Sequence, residues 1–255
     1  MSGAIRVPPP VNEPVLSHAP GTPERALLKA KLAELSAHEL DIPLIIGGDD
    51  VRTGRTSRAV MPHNHGHVLA TWQMAGPEEV LRAIQASKDA WSEWSRVAWE
   101  DRASVFLRAA DLLATTWRAT LNASTMLAQS KTVHQAEIDS ACELIDFFRF
   151  NAWFAERVYA DQPISGPGVW NRSEYRPLEG FVFAVTPFNF TSIAGNLWAA
   201  PALMGNVVLW KPSSAAVYSG YQLMRLLEAA GLPPGVVNFL PGDPKIITRA
   251  LIDHP

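Results

Sequence analysis

The chain has 255 residues and a mass of 27.9 kDa, with 47% hydrophobic and 18% charged residues. This composition can bury a substantial core and excludes a chain that is disordered by composition. The net charge of -3 gives no basis for binding nucleic acid or an anionic membrane surface. The single cysteine, Cys142, excludes an internal disulfide, and the first residues lack an apolar signal core, so we expect a cytoplasmic protein.

The first part of the chain combines an irregular arm, helices and short strands. Residues 1–22 are rich in proline and predict an irregular arm, and the stretch "PERALLKAKLAELSA" predicts a helix with Pro23 in its first turn. Residues 42–64 contain short apolar runs split by "GGDD" and "TGR", which predicts one antiparallel hairpin. The stretch "HVLATWQMA" predicts a further strand.

Helical patterns dominate the next hundred residues. The stretch "GPEEVLRAIQASKDAWSEWSRV" has proline and acids where a helix would begin, followed by apolar residues at helical spacing. Residues 100–130 predict two more helices, and a long helix is predicted from Val133 to Tyr159. Residues 161–180 are rich in glycine and proline and predict a protruding strand pair or a linker.

Strands and helices alternate in residues 181–255. The strands "FVFAV", "VVLW" and "VVNFL" are separated by two helices, and Thr191 or Ser192 is the expected cap of the first helix. The uncharged run from Gly180 to Trp210 is long enough for a membrane span, but its prolines, glycines and asparagines favour buried strands separated by turns. The pattern predicts an α/β fold with a parallel doubly wound unit.

Doubly wound units bind ligands beyond the carboxyl ends of their strands, and "TPFNF" and "KPSS" stand at two of those ends. The sequence therefore predicts a nucleotide site, although the glycine-rich G-x-G-x-x-G pattern is absent. The ammonium group of Lys211 could hold ribose hydroxyls or a 2′-phosphate. The alternative is a lysine at the end of a strand that only reaches water.

The stretches "TPFNFTSIAGNLWAAPALMGNVVLWKPSSAA" and "EAAGLPPGVVNFLPG" resemble the aldehyde dehydrogenase superfamily. The stretches "NHGHVLA", "KTVHQAEIDSACELIDFFRFNA" and "EYRPLEGFVFAVTPFNFTSIAGNL" resemble its L-glutamate γ-semialdehyde (1-pyrroline-5-carboxylate) dehydrogenase branch. The resemblance implies the N-terminal part of that fold. Residues 23–160 and 181–255 would form part of an NAD-binding domain with an incomplete parallel sheet, and residues 161–180 an oligomerisation hairpin or linker. The catalytic domain would be absent.

The resemblance also implies roles for individual residues. Asn189 would donate its side-chain amide to the oxyanion that forms when a cysteine attacks the aldehyde, and the alternative is an amide that caps the following helix. NAD is the expected cofactor, although the residues do not distinguish NAD from NADP. The positions that would surround the cofactor are Thr186, Pro187, Trp210, Lys211, Pro212, Ser213 and Gly242.

Two residues are candidates for binding the substrate. Phe190 would pack near the aldehyde chain. Glu137 shares a helix face with apolar residues, where a carboxylate is costly unless it is paired or borders a pocket. The resemblance implies that Glu137 borders the substrate pocket. An ion pair with Arg149 or Lys131 is an equally weighted alternative.

Other features predict what this polypeptide lacks. His63, His65 and His67 alternate but have no supporting carboxylate or cysteine, so we expect no metal. Cys142 lies in a predicted helix among apolar residues and is expected in the core.

The resemblance implies NAD-dependent oxidation of L-glutamate γ-semialdehyde to L-glutamate in proline degradation, by a homo-oligomer that binds neither nucleic acid nor membrane.

Without the downstream cysteine and glutamate of that family, we expect the polypeptide to be inactive alone. The alternatives are a non-catalytic nucleotide-binding module and one half of a split enzyme. A sheet that stops after three strands would expose an edge, which predicts poor solubility.

Overall fold

The computed structural model describes residues 6–252 and residue 254. Its helices are α1 (Pro23–Ala37), α2 (Pro77–Trp94), α3 (Trp99–Ala114), α4 (Arg118–Gln129), α5 (Val133–Ala136), α6 (Leu144–Ala160), α7 (Thr191–Leu203), α8 (Val217–Ala230) and α9 (Pro244–Ile252). Its strands are β1 (Leu40–Ile42), β2 (Leu44–Ile46), β3 (Asp49–Val51), β4 (Thr56–Met61), β5 (Asn64–Gln73), β6 (Val182–Val185), β7 (Val208–Lys211) and β8 (Val237–Phe239). The predicted helices, the strand predicted in residues 67–75 and the three strands after residue 180 are present, with boundaries that differ by a few residues, whereas residues 161–180 contain no strand.

A five-stranded sheet in the order β3-β2-β8-β7-β6 forms the centre of the structure. Strands β6, β7 and β8 are parallel, with Val182 opposite Val208 and Val208 opposite Val237. Helices α7 and α8 connect them, which confirms the predicted doubly wound unit. Every residue of β7 is buried, as expected for a central parallel strand that is covered on both faces.

Aromatic rings fill the space between this sheet and its helices. Trp210 of β7 packs between Trp198 of α7 and Phe239 of β8, with ring centroids 5.3 and 5.0 Å away. A Cβ atom on Gly220 of α8 would lie 3.3 Å from the Phe239 ring and 3.4 Å from the Trp210 ring. The glycine therefore lets α8 approach the sheet closely.

The prediction of an antiparallel hairpin in residues 42–64 is confirmed for β2 and β3, but β4 is not part of that hairpin. Pro43 separates β1 from β2, and the two strands join different sheets. Strands β2 and β3 form a tight hairpin at Gly47 and Gly48, whose φ angles of 62° and 88° favour glycine. Strand β4 pairs instead with β5, in a three-stranded sheet of order β1-β5-β4.

Among the described strands, the predicted uncovered edge of the doubly wound unit lies at β6. Strand β2 pairs antiparallel with β8 through Ile45 and Phe239, so the third strand of the doubly wound unit is covered. Among the described residues, the outer side of β6 is the parallel edge that has no partner strand. Val185 at the end of β6 is 53% exposed.

The predicted long helix contains an irregularity. Its first turn, α5, is capped by Thr132, whose hydroxyl accepts a hydrogen bond from the Gln135 N–H. Residues Glu137–Glu143 then form a π-helix before α6 continues to Ala160. Wider turns of this kind redirect side chains and are frequent at functional sites.

The described part of the N-terminal arm, residues 6–22, is irregular but attached to the helices. The backbone N–H groups of Val7, Glu13 and Leu16 donate to the carboxylates of Glu156, Asp146 and Glu137. The arm thus takes its shape from acidic side chains on the long helix. Residues 1–5 of the predicted arm lie outside the described residues.

Residues 161–180 form two extended arms that meet at a turn around Pro167 and Gly168. Backbone groups of one arm bind side chains of the other: the Asn171 N–H donates to Ser165 Oγ, and the Ser173 N–H donates to Gln162 Oε1. Ile164 and Trp170 are 92% and 82% exposed. In the part of the chain that the structure describes, no helix has the length and apolar character of a membrane span.

Candidate functional site

The loops after β6 and β7 lie side by side, as the parallel arrangement requires. The Thr186 N–H donates to the Lys211 carbonyl over 3.2 Å, and the Trp210 indole N–H donates to Thr186 Oγ1 over 2.9 Å. Together these bonds join the start of "TPFNF" to the start of "KPSS". The sheet therefore brings the two predicted nucleotide-binding segments together.

Asn189 lies at the end of this loop and is exposed. It makes no hydrogen bond to any described residue, so the alternative that it caps the following helix was wrong for this structure. The apolar character of its neighbours in sequence does not bury it, because Phe188 and Phe190 are themselves 64% and 38% exposed. Its side-chain amide is free to donate to a ligand.

Lys211 is buried, with 6% of its surface exposed, and its ammonium group makes no hydrogen bond or ion pair with any described residue. Burial lowers the pKa of this lysine, and the charge of Asp243 opposes that shift. The alternative of a strand-end lysine that only reaches water stays open, because the Lys211 Nζ atom is not among the fully enclosed polar atoms without a partner. A buried cation without a paired anion is costly, and such a group is suited to hold a polar ligand.

Some of the other predicted cofactor positions are buried, and others are partly exposed to solvent. The Trp210 ring is fully buried, and its carbonyl accepts the Leu240 N–H. Thr186 and Pro212 are buried, whereas Pro187 and Ser213 are partly exposed. A Cβ on Gly242 would lie 3.0 Å from the Ala75 carbonyl oxygen, so the absence of a side chain lets these two segments approach closely.

Helix α7 begins at Thr191, directly after Phe190, and its cap comes from another element. The prediction that Thr191 or Ser192 caps this helix was wrong. The carboxylate of Asp139, in the π-helix, accepts the N–H groups of Thr191 and Ser192, each over 3.0 Å. The uncharged first turn of α7 gives no indication of this partner, because Asp139 is 52 residues from Thr191 in the sequence.

Lys131 and Glu143 complete the polar surroundings of this helix start. The Lys131 ammonium pairs with Asp139 over 2.5 Å and lies 4.4 Å from the centroid of the Phe190 ring. Glu143, which ends the π-helix, accepts a hydrogen bond from the Ser192 hydroxyl over 2.8 Å. No sequence signal placed these three charged residues next to Phe190 and Thr191.

Glu137 is surrounded by polar partners in the interior of the structure. Its carboxylate is fully buried and accepts hydrogen bonds from Arg118, Asn122 and the Leu16 N–H, and it also contacts His18. Burial alone would raise the pKa of Glu137, but the hydrogen bonds from Arg118, His18 and Leu16 lower it to about 2.

The alternative of an ion pair is therefore the correct one for Glu137, but with Arg118. Lys131 pairs with Asp139, and Arg149 pairs with Glu13.

Comparison with known proteins identifies the family. A model of the aldehyde dehydrogenase family matches residues 51–255. The Delta-1-pyrroline-5-carboxylate dehydrogenase of Agaricus bisporus is 51% identical over 249 residues, which cover 97% of this chain and 46% of the relative. The mitochondrial enzyme of the same name from Homo sapiens is 50% identical over 232 residues, which cover 91% of this chain and 41% of the relative.

Solved structures agree with these relatives. The Delta-pyrroline-5-carboxylate dehydrogenase from Mycobacterium tuberculosis has a TM-score of 0.98 and 52% identity, over 100% of this chain and 48% of that chain. The same enzyme has been solved with NAD bound. The chain belongs to the aldehyde dehydrogenase family. It spans about half the length of the curated relatives that it matches.

Cys142 is not placed as the nucleophile of an aldehyde dehydrogenase. The thiol is buried and lies 3.4 Å from Arg118 Nη2 and 3.8 Å from Glu137 Oε1. Burial and the Glu137 charge raise its pKa to about 12, so the thiolate is absent at neutral pH. The prediction that Cys142 is a core residue is confirmed.

Two of the three alternating histidines contact different parts of the chain. His63 contacts Ser130 Oγ, and His67 contacts the Ser36 carbonyl. Within residues 6–252 and 254, no group of three or more potential ligands is arranged to hold a metal ion. The structure thus provides no metal centre in the residues that it describes.

Proposed function

We propose that this chain is the NAD-binding part of an L-glutamate γ-semialdehyde dehydrogenase, the enzyme that oxidises L-glutamate γ-semialdehyde to L-glutamate in proline degradation. The observation that carries the proposal is the buried, unpaired Lys211 beside the "TPFNF" loop at the carboxyl ends of β6 and β7. The 52% identity to an enzyme that has been solved with NAD bound supports the choice of substrate and cofactor.

The residues of this site fit a dinucleotide. Lys211 offers ammonium donors to ribose hydroxyls, and the exposed faces of Pro187 and Ser213 border the same edge of the sheet. Gly242 keeps the loop after β8 close to Ala75, next to the carboxyl ends of the parallel strands where ligands bind in such folds. When bound, NAD would supply the acceptor for the hydride that leaves the substrate.

Asn189 contributes the other chemical function of the site. Its exposed amide can donate a hydrogen bond to an oxygen that gains negative charge during attack on an aldehyde, and such a donor contributes about 3 kcal/mol of transition-state stabilisation. Phe190 follows it and presents part of its ring at the surface, where it can pack against an aldehyde chain. Glu137 is not proposed again as a substrate ligand, because its carboxylate is occupied.

Oxidation of an aldehyde by this mechanism also requires a nucleophilic thiol and a base that activates water. Cys142 is the only cysteine in the 255 residues, and it is buried and protonated. We therefore expect a purified polypeptide of these residues to bind NAD without reducing it. A measurable rate of NADH formation with the semialdehyde, above that of the Asn189→Ala variant, would contradict this expectation.

Titration calorimetry with NAD and with NADP tests the proposed cofactor site. We expect the polypeptide to bind NAD, and Lys211→Met to weaken binding about tenfold or more because the hydroxyl contacts are lost. Lys29→Met, which removes an exposed lysine of α1, is the matched control and leaves the affinity unchanged. Equal affinities of the wild type and Lys211→Met would overturn the assignment of Lys211, and absence of NAD binding would favour the non-catalytic alternative.

Two further features belong to the same proposal. The exposed Ile164 and Trp170 support association of the complete enzyme into a homo-oligomer through residues 161–180. The single buried thiol supports a reducing compartment, and the cytoplasm remains our prediction although several relatives are named as mitochondrial. Sedimentation analysis and cell fractionation test these two expectations.

A further inference from the structure

Asp139 and Lys131 form a buried ion pair next to the loop that carries Asn189, and the function proposed above gives neither residue a role. Asp139 is in the π-helix and Lys131 follows α4, so neither belongs to the doubly wound unit. Their side chains are 3% and 15% exposed. Isolated surface pairs contribute little, but a buried pair with further hydrogen bonds can hold its neighbours in one geometry.

The Asp139 carboxylate is directed at the first turn of α7. Its Oδ2 atom accepts the Thr191 N–H, and its Oδ1 atom accepts the Ser192 N–H over 3.0 Å and the Ser192 hydroxyl over 2.7 Å. Glu143 Oε2 also lies 2.8 Å from Ser192 Oγ. Because the hydroxyl has a single proton, it donates to only one of the two carboxylates at a time. Because the N-terminus of a helix carries partial positive charge, a buried carboxylate is favourable at this position.

The Lys131 ammonium acts on the residue before this helix. It pairs with Asp139 Oδ2 over 2.5 Å, and it lies over the face of Phe190 at 4.4 Å from the ring centroid. A cation over an aromatic face is attracted to it, most strongly where water is excluded. Phe190 and Thr191 are therefore held from the same side by one ion pair.

Asn189 precedes these two residues directly, and it has no hydrogen bond of its own to a described residue. On its other side the loop is held by the bond from the Thr186 N–H to the Lys211 carbonyl. The orientation of the Asn189 amide thus depends on the anchors that flank it. A catalytic donor must be held within a few tenths of an ångström of its working position.

We propose that Asp139 and Lys131 are positioning residues that orient Asn189 by fixing Phe190 and the start of α7. This inference rests on the proposed function, since it gives Asn189 an amide to orient toward substrate. The π-helix has a direct part in it, because Asp139 reaches α7 from this segment while Glu137 faces the N-terminal arm.

A purely structural role of the pair would stabilise the whole chain without a special effect on this loop. The two roles are separated by NMR spectroscopy of the labelled polypeptide, with three local readouts. These are the exchange rates of the Thr191 and Ser192 amides, the side-chain NH₂ resonances of Asn189 and the ring resonances of Phe190.

Asp139→Asn replaces one acceptor oxygen by an NH₂ group that faces a backbone N–H. We expect the Thr191 and Ser192 amides to exchange about fivefold faster or more in this variant, because removing a helix cap weakens the first turn to that extent. Lys131→Met retains the Asp139 cap and removes the cation, so it shifts the Phe190 and Asn189 resonances. Lys131→Arg restores the cation and brings these resonances back toward the wild-type positions.

Glu34→Gln is the matched control, since it removes a carboxylate from the more exposed pair with Lys31 on α1. It changes none of the three readouts. The proposal would be overturned if Asp139→Asn and Lys131→Met both gave the wild-type exchange rates and resonances. It would also be overturned if amide exchange became uniformly faster across the chain and Lys131→Arg did not restore the wild-type resonances. Titration of the same samples with NAD separates the two proposals. Failure of the wild type to bind NAD would overturn the proposed function, but the measured effect of Asp139 and Lys131 on the Asn189 loop would still hold.

Discussion

At the scale of single residues, the burial of Glu137 shows how a costly charge becomes a stabilising one. Transfer of a lone carboxylate to the interior is unfavourable, yet Arg118, Asn122, His18 and the Leu16 N–H surround this one completely. The pKa of about 2 follows from these contacts. The Glu137 cluster therefore joins the N-terminal arm to α4 and the π-helix by interactions that require the charged form.

We expect Glu137→Gln to lower the free energy of unfolding at pH 7 by about 3 kcal/mol, because Arg118 is left without its main partner. The pKa of Glu137 is lowered in the folded state, so its stabilisation is complete above the ordinary value of 4.5 and is lost as the pH falls toward about 2. The difference between wild type and variant in urea unfolding should therefore shrink between pH 4.5 and pH 2.5. A difference that stays constant over this range would contradict the assigned cause, and Glu34→Gln serves as the exposed control.

At the scale of elements, helix α7 depends on residues outside its own segment for its cap and for its position. It has no side-chain cap from its own residues and contains Pro201, and its first turn holds no acidic residue. Asp139 supplies the cap, and Gly195 allows α7 to approach Leu144 of α6, whose Cδ1 atom would lie 2.6 Å from an added Cβ. The helix that follows the Asn189 loop is thus placed by the long helix rather than by its own sequence.

The contact between the loops after β5 and β8 allows a test at this scale. A Cβ on Gly242 would lie 3.0 and 3.1 Å from backbone atoms of Ala75, and backbone cannot rotate away as a side chain can. We expect Gly242→Ala to destabilise the chain by about 2 kcal/mol in urea unfolding, because the two segments must separate. Gly166→Ala is the matched control, since nothing lies within 4 Å of its added Cβ. Equal stability of the two variants would show that the loops accommodate the methyl group.

At the scale of the whole molecule, the N-terminal and C-terminal parts share one core. Strand β2 extends the doubly wound sheet beyond β8, and α3 and α6 pack against its helices, with Phe106 and Phe148 in ring contact. The main hydrophobic cluster runs from the N-terminal arm to β8. Residues 23–160 and 181–255 therefore pack as one unit, because they share a sheet and a hydrophobic core.

We expect the polypeptide to unfold in one cooperative transition, because disruption of either part removes buried surface from the other. Far-ultraviolet circular dichroism, which reports on all helices, and tryptophan fluorescence, which includes the buried Trp198 and Trp210, should give the same midpoint. Two resolved midpoints would contradict this expectation.

The sequence by itself determined the alternation of strands and helices after residue 180, the parallel arrangement and the position of Lys211 and Asn189 at strand ends. These features follow from local periodicity and from the rule that ligands bind beyond the carboxyl ends of parallel strands. The family also followed from continuous motifs. Each of these signals lies within a short segment of the chain.

Only the tertiary structure decided which charges meet. The pairing of Glu137 with Arg118, the capping of α7 by Asp139, the unpaired state of Lys211 and the exposure of Asn189 each depend on segments that are distant in sequence. The same holds for Pro43, where the chain changes from one sheet to the other. Electrostatic and packing contacts act through space, and the fold alone sets the distances over which they act.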